Sequence, residues 1–217
     1  MIKILQVRNI DSFVESRRQK TSEKDKKTVQ AILNDVRKNG DYAVREYERK
    51  FNRQTYSDSS EVNLRVSANE KIRARRKITE AQRDALRSCA RRLYDVQQPL
   101  MKGLFGSVKS LPGVSFVPIS SVGCYVPGGQ ARYPSSAIMS AFTAVAAGVE
   151  RIVITSPPGP DGQVDPMTLA IAGKCGAEIY KVGGAQAIGA LAYGTKSIPK
   201  VDKIVGPGGK FVSIAKS

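Results

Sequence analysis

In the second half of this chain, short apolar runs alternate with segments rich in small residues. Glycine-rich turns recur at 123–129, 182–188 and 205–210, each between a strand-like run and a helix-like run. A strand, a glycine turn and a helix repeated in this order are typical of parallel βαβ units. Such a sheet is covered by helices on both faces. We therefore predict an α/β fold whose glycine turns lie at the ligand-binding edge of the sheet.

The same pattern predicts where the strands and helices of this half lie. We expect strands at 114–118, 122–126, 151–155, 178–181 and 203–205, and helices at 135–147, 165–175, 185–193 and 210–217. The last helix is short for one that covers a sheet face, which is typical of a truncated lobe. The expectation is a Rossmann-like parallel βαβ lobe that is incomplete.

The first part of the chain has the pattern of helices. Ser22, Ser67 and Thr79 each stand before a helical segment, in the position that an N-cap residue takes. Gly40 is suited to end the first of these helices, because glycine adopts the backbone conformation that a helix end needs. These signals predict three capped helices and a further short one directly after Gly40.

The composition of the sequence changes near 102–112, where charged residues become fewer and glycine and proline become more frequent. We place a boundary there, between a mainly helical segment at 1–110 and the Rossmann-like lobe at 111–217. A short strand at 61–66 is also expected within the first segment.

The net charge of +16 favours negatively charged partners. Residues 1–110 hold 26 Lys and Arg against 14 Asp and Glu, so they account for +12 of it. Arg83, Arg87 and Arg91 recur every four residues and so share one helix face. Such a stripe can grip the phosphates of a nucleic acid or another polyanion. A solvated helix surface also shows this spacing, and both interpretations stay open.

Cysteine usage suggests a cytoplasmic protein. Cys89, Cys124 and Cys175 are odd in number and far apart, which disfavours a disulfide framework and a zinc cluster. No apolar run has the roughly 18 residues that cross a membrane, and no signal-peptide pattern stands at the start. Because the chain has no histidine, Cys124 lacks the usual base and is expected to be inert packing.

The glycine turns are suited either to ligand binding or to close packing of a strand against a helix. Gly128 and Gly129 allow a ligand to approach the backbone, and the helix that follows offers free N–H groups to an anion such as a pyrophosphate. A tight strand-to-helix turn explains the same residues. Gln186 stands where a side chain enters the ligand crevice of an α/β sheet, although it is also suited to a helix cap. No GxGxxG fingerprint occurs.

Three blocks of the sequence, 122–129, 182–195 and 199–208, jointly resemble the N-terminal half of histidinol dehydrogenase. The resemblance implies an enzyme that oxidises L-histidinol, through an aldehyde, to L-histidine at the end of histidine biosynthesis. It implies two NAD per turnover, zinc and a homodimer. The family's NAD contacts fall on Tyr125, Gln186 and Gly209, and the last of these departs from the family's asparagine. Gly128 and Gly129 complete the expected cofactor site.

The zinc ligands of that family and its Glu-His acid–base pair follow the last matched block. We therefore expect no catalytic residue and no metal ligand in this chain, and no turnover of histidinol by it alone. Two alternatives remain: a lobe of a dehydrogenase for another small polar alcohol, and a non-catalytic module whose basic helices bind nucleic acid.

Overall fold

A computed structural model describes residues 9–17, 22–53, 55–56, 62–109, 111–128 and 132–217. Its first half contains five helices in these ranges: α1 Ile10–Arg17, α2 Glu23–Asn39, α3 Asp41–Phe51, α4 Ala68–Lys77 and α5 Glu80–Lys109. The predicted caps are confirmed. Ser22 and Ser67 each form a capping box with an acidic residue at the third helical position, and the Gln82 N–H donates to Thr79 Oγ1. Gly40 ends α2, as predicted. Helix α1 was not predicted.

The second half forms a four-stranded parallel sheet in the order β3-β2-β1-β4. Its elements are β1 Ser121–Tyr125, α6 Pro134–Ala146, β2 Arg151–Thr155, α7 Pro166–Lys174, β3 Glu178–Tyr180, α8 Gly184–Tyr193, β4 Lys203–Val205 and α9 Lys210–Lys216. Strands β1, β2 and β3 follow one another in one direction across the sheet, whereas β4 lies on the opposite side of β1. The strand order therefore reverses between β1 and β4. This α/β architecture is the one that the alternating pattern predicts.

Two of the predicted strands are wrong. Residues 114–118 are exposed and belong to no strand, and Pro118 has no N–H to give to a sheet. Within 62–66 the structure contains only an isolated antiparallel bridge, between Arg65 and Tyr180. This segment nevertheless covers the outer edge of β3, because the Val66 N–H donates to the Ile179 carbonyl and the Lys181 N–H to the Leu64 carbonyl.

The two faces of the sheet bury two separate cores. Strand β1 shows the division: Tyr125 packs on one face with α2, α3 and α8, whereas Val122 and Cys124 pack on the other with α6 and α7. Helices α4 and α5 lie against α7 and α6 on that second face. The N-terminal helices therefore share both cores with the sheet.

Helix α5 passes through the predicted boundary. It includes Pro99, Gly103 and Gly106 and ends at Lys109, so these glycines belong to a helix and not to a linker. The division into segments 1–110 and 111–217 stays a prediction.

Candidate functional site

The glycine-rich turns meet at the carboxyl edge of the sheet. Gly128 follows β1, Gly183 and Gly184 follow β3, and 206–209 follow β4. Open α/β sheets bind ligands at this edge, beside the point where the strand order reverses. Gly206 shows how closely the turns approach: at φ +110°, a Cβ on it would lie 2.1 Å from the Tyr125 carbonyl oxygen. Gly129 lies outside the described residues.

Tyr125 and Gln186, predicted from separate blocks, lie close together. The Gly184 N–H donates to the Tyr125 hydroxyl at 3.2 Å, and Gln186 stands two residues further along α8. Both side chains are buried. Burial raises the pKa of Tyr125, so its hydroxyl keeps its proton at neutral pH. This hydroxyl therefore retains a hydrogen that it can donate, while it accepts from Gly184.

Sequence reasoning missed Glu48, which lies at the centre of the site. Its Oε1 accepts from the Gly183 N–H at 2.9 Å and from Gln186 Nε2 at 2.8 Å, and its Oε2 accepts from Asn52 Nδ2 at 2.6 Å. Its side chain is wholly buried. Burial raises its pKa to about 7, although these three hydrogen bonds pull the pKa down. One feature of the sequence indicates its position. Glu48 follows Val44, which is buried, by four residues, and so lies on the inner face of α3.

Gln186 leaves one buried atom without a partner. Its Oε1 has no hydrogen-bond donor among the described residues. The oxygen lies against Gly184, where a Cβ would come within 2.6 Å of it, and Gly184 has a φ of +60° that favours glycine. A buried acceptor without a donor is costly in a native protein, and a water or a ligand can supply the missing donor.

A cavity of about 270 Å³ opens beside Gln186. Its walls are mainly apolar and include the exposed rings of Phe51 and Phe211. An apolar cleft with one or two convergent polar groups is typical of a site for a small molecule or cofactor.

Gly209 follows β4 and Gly128 follows β1 at this edge of the sheet. Gly209 is the N-cap of α9, two residues before Phe211, and a Cβ on it would meet no atom within 4 Å. A side chain at 209 therefore has room. Gly128 is packed tightly instead, since its Cβ would lie 2.9 Å from the Pro157 carbonyl oxygen. It lines a second cavity of about 320 Å³, on the α6 and α7 side, together with Arg132.

Other predicted residues take structural positions. Cys124 is fully buried, and burial raises its pKa to about 11, as expected of an unreactive thiol. In the arginine stripe, Arg83 pairs with Glu80, Arg87 with Glu80 and Asp84, and Arg91 with Asp95. These pairs, all with acidic residues of α5 itself, favour the interpretation of a solvated helix face.

Within the described ranges, no group of three or more His, Cys, Asp and Glu side chains is placed to hold a metal ion. The helices of those ranges also include none long and apolar enough to cross a membrane.

The chain is similar in sequence to histidinol dehydrogenases. The sequence profile of histidinol dehydrogenase matches residues 15–217. The histidinol dehydrogenase of Methanosarcina barkeri is 43% identical over 195 residues, which are 88% of this chain and 44% of that protein. That of a Synechococcus species is 44% identical over 193 residues, or 87% of this chain and 44% of that protein.

The similarity extends to three dimensions. The crystal structure of histidinol dehydrogenase from Elizabethkingia anophelis matches with a TM-score of 0.77 at 27% sequence identity. The match covers 96% of this chain and 48% of that one. The chain thus spans less than half the length of these relatives.

Proposed function

Since this chain belongs to the histidinol dehydrogenase family, we propose that it supplies the part of such an enzyme that holds NAD. One observation carries the proposal: the buried Oε1 of Gln186 has no donor among the described residues, and Gln186 lines a small apolar cavity close to Tyr125. The ribose hydroxyls and amide groups of a dinucleotide offer the donors that this oxygen lacks.

In this proposal, each residue of the site has a separate role in binding the cofactor. Gln186 Oε1 accepts a hydrogen bond from the cofactor, and the Tyr125 hydroxyl can donate one. Phe51 and Phe211 flank the cavity and shield these contacts from water, which strengthens them. Gly128, Gly129 and Gly209, from the glycine-rich segments, complete the set of cofactor-binding residues in the proposal. NAD, when bound, supplies the acceptor for a hydride.

The activity of the whole enzyme, in this proposal, is the oxidation of L-histidinol through the aldehyde to L-histidine, the end of histidine biosynthesis. The enzyme acts in the cytoplasm as a homodimer with zinc and NAD. These points rest on the family alone.

The zinc site of the family does not fit this chain. The sequence has no histidine, and the described residues contain no cluster of possible ligands. We therefore assign cofactor binding to this chain and derive no step through zinc. We expect the chain alone to bind NAD without turning over histidinol.

The proposal is tested by titrating the purified chain with NAD in a calorimeter. Gln186→Leu removes the acceptor and Tyr125→Phe the hydroxyl, so each variant should weaken binding by up to about tenfold, the effect of one hydrogen bond. Tyr42→Phe is the matched control, because Tyr42 is exposed on the outer surface of α3. If the two site variants bind NAD as tightly as the control, the proposed site is wrong.

A polyanion is a second candidate ligand. A cavity of about 380 Å³ between α4, α5 and α7 is lined by five cations: Lys71, Arg75, Arg83, Arg87 and Lys174. Binding of mixed-sequence DNA that falls steeply as salt rises would support this function. DNA binding that is weak even at low salt and lost at moderate salt would leave the cofactor proposal alone.

A further inference from the structure

Helix α8 begins at the site without a cap of its own. Its N-cap residue is Gly183, which has no side chain to accept a hydrogen bond from the first turn. The backbone N–H groups of a helix start need acceptors when they are buried. Glu48 supplies one from a different helix, α3, since it accepts from the Gly183 N–H.

Gln186 is the third residue of α8, and this position has a defined role in a capping box. There, the oxygen of a Glu or Gln side chain reaches back to the N–H of the N-cap residue. In this chain Glu48 already occupies the Gly183 N–H, and the same oxygen also accepts from Gln186 Nε2. The Gln186 amide is thereby held with its nitrogen toward Glu48 and its oxygen toward Gly184, at a residue that lines the cavity.

We propose that Glu48 is a positioning residue that caps α8 from outside the helix and fixes the Gln186 amide so that its oxygen faces the ligand. The proposal rests on the proposed NAD site for its consequence, and on the observed contacts for its geometry. An ionised Glu48 can only accept hydrogen bonds, so it selects the nitrogen of the amide. A protonated Glu48 can donate one, and the amide then gains an alternative orientation that turns its oxygen inward.

The surroundings of Glu48 make this protonation accessible. Tyr125, from β1, and Tyr56, after α3, are the titratable groups on which the charge of Glu48 acts. Both have a raised pKa, first because of burial and in part because of this carboxylate, so both remain neutral while Glu48 titrates. From α8, the groups that contact Glu48 are the Gly183 N–H and the Gln186 amide.

The experiment compares three forms of the chain: wild type, Glu48→Gln and the matched control Glu46→Gln. Glu46 is exposed on the same helix and pairs with Arg49, so its substitution removes a carboxylate charge outside the site. The chemical shifts of the Gly183 amide and the Gln186 side-chain amide are followed by NMR from about pH 5 to about pH 9, a range that brackets the expected midpoint. The dissociation constant of NAD is measured at each pH.

Wild type and Glu46→Gln should show one common midpoint near pH 7 for both signals, with weaker NAD binding on the acid side. In Glu48→Gln neither signal should titrate, and NAD should bind about three- to tenfold more weakly at every pH above the midpoint. A Glu48→Gln chain with the affinity and pH profile of wild type would overturn the proposal.

Two further outcomes keep the proposal distinct from the NAD assignment. If wild type binds no NAD at any pH, the proposed function fails, and the NMR midpoint alone decides the role of Glu48. If Glu48→Gln does not fold, Asn52→Ala takes its place, because it removes one donor to Glu48 and keeps those from Gly183 and Gln186. Its loss should move the common midpoint upward, and an unmoved midpoint would contradict the proposal.

Discussion

Substituting Lys181 by Met should destabilise the chain, because Lys181 forms a buried ion pair next to the site. It directly follows β3, and its Nζ lies 2.8 Å from Glu70 Oε1 on α4. Lys181 is 8% exposed and Glu70 7%. The methionine fills a similar volume but leaves the Glu70 charge buried without its cation.

The expected loss is about 3 kcal/mol in the free energy of unfolding. Removing one partner of a buried pair costs about 3–5 kcal/mol, and we take the lower end because both side chains keep some contact with water. Ser67 continues to donate to Glu70 Oε2 from its N–H and its hydroxyl, at 2.8 Å each, which also limits the loss.

The pKa of Glu70 determines how the stability difference between wild type and Lys181→Met changes with pH. Burial opposes ionisation of Glu70, but the hydrogen bonds from Lys181 and Ser67 hold its pKa below the ordinary value. A carboxyl whose pKa is lower in the folded state contributes stability above its unfolded pKa, and this contribution fades as the pH falls through the folded value. The gap between wild type and Lys181→Met should therefore be full at pH 7 and shrink below about pH 4.

Urea unfolding of both forms at neutral and acid pH measures this gap. Lys196→Met is the control, since Lys196 is exposed and its loss should change stability by no more than about 0.5 kcal/mol. A Lys181→Met chain within about 1 kcal/mol of wild type at pH 7, or a difference that is the same at both pH values, would show that the buried ion pair does not stabilise the fold.

Three other substitutions or measurements test separate parts of the structure. Gly206→Ala should lower the Tm strongly or prevent folding, because its Cβ would lie 2.1 Å from a backbone oxygen at a φ of +110°; a Tm like that of wild type would contradict the turn geometry. Gly209→Asn has open space at its Cβ, so we expect an unchanged Tm and, if its amide reaches NAD, up to about tenfold tighter binding in a calorimeter. With a thiol reagent, exposed Cys89 should react in the native chain while Cys124, with its pKa raised to about 11, should react only on unfolding; equal rates would contradict its burial.

Much of the fold is predictable from the sequence because its signals are local. The hydroxyls of Ser22 and Ser67 accept from backbone N–H groups only three residues away, and each glycine turn follows its strand. The resemblance to histidinol dehydrogenase, based on three short blocks, is confirmed by a match over residues 15–217.

The errors have physical causes that the local pattern does not contain. The apolar run at 114–118 resembles a strand, but a strand needs a neighbour, and none of the described strands pairs with it. Helix α5 continues through Gly103 and Gly106, because the weak helix propensity of a single glycine costs only about 1 kcal/mol and does not by itself end a helix. Glu48 was missed because its partner Gly183 lies 135 residues away in the sequence.

A crystal structure of the chain with NAD bound tests the central claim most directly. We expect the cofactor in the cavity between Phe51 and Phe211, with one of its donors within hydrogen-bond distance of Gln186 Oε1. A cofactor held only in the cavity lined by Gly128 and Arg132, away from Phe51 and Phe211 and with Gln186 Oε1 still without a donor, would contradict this expectation.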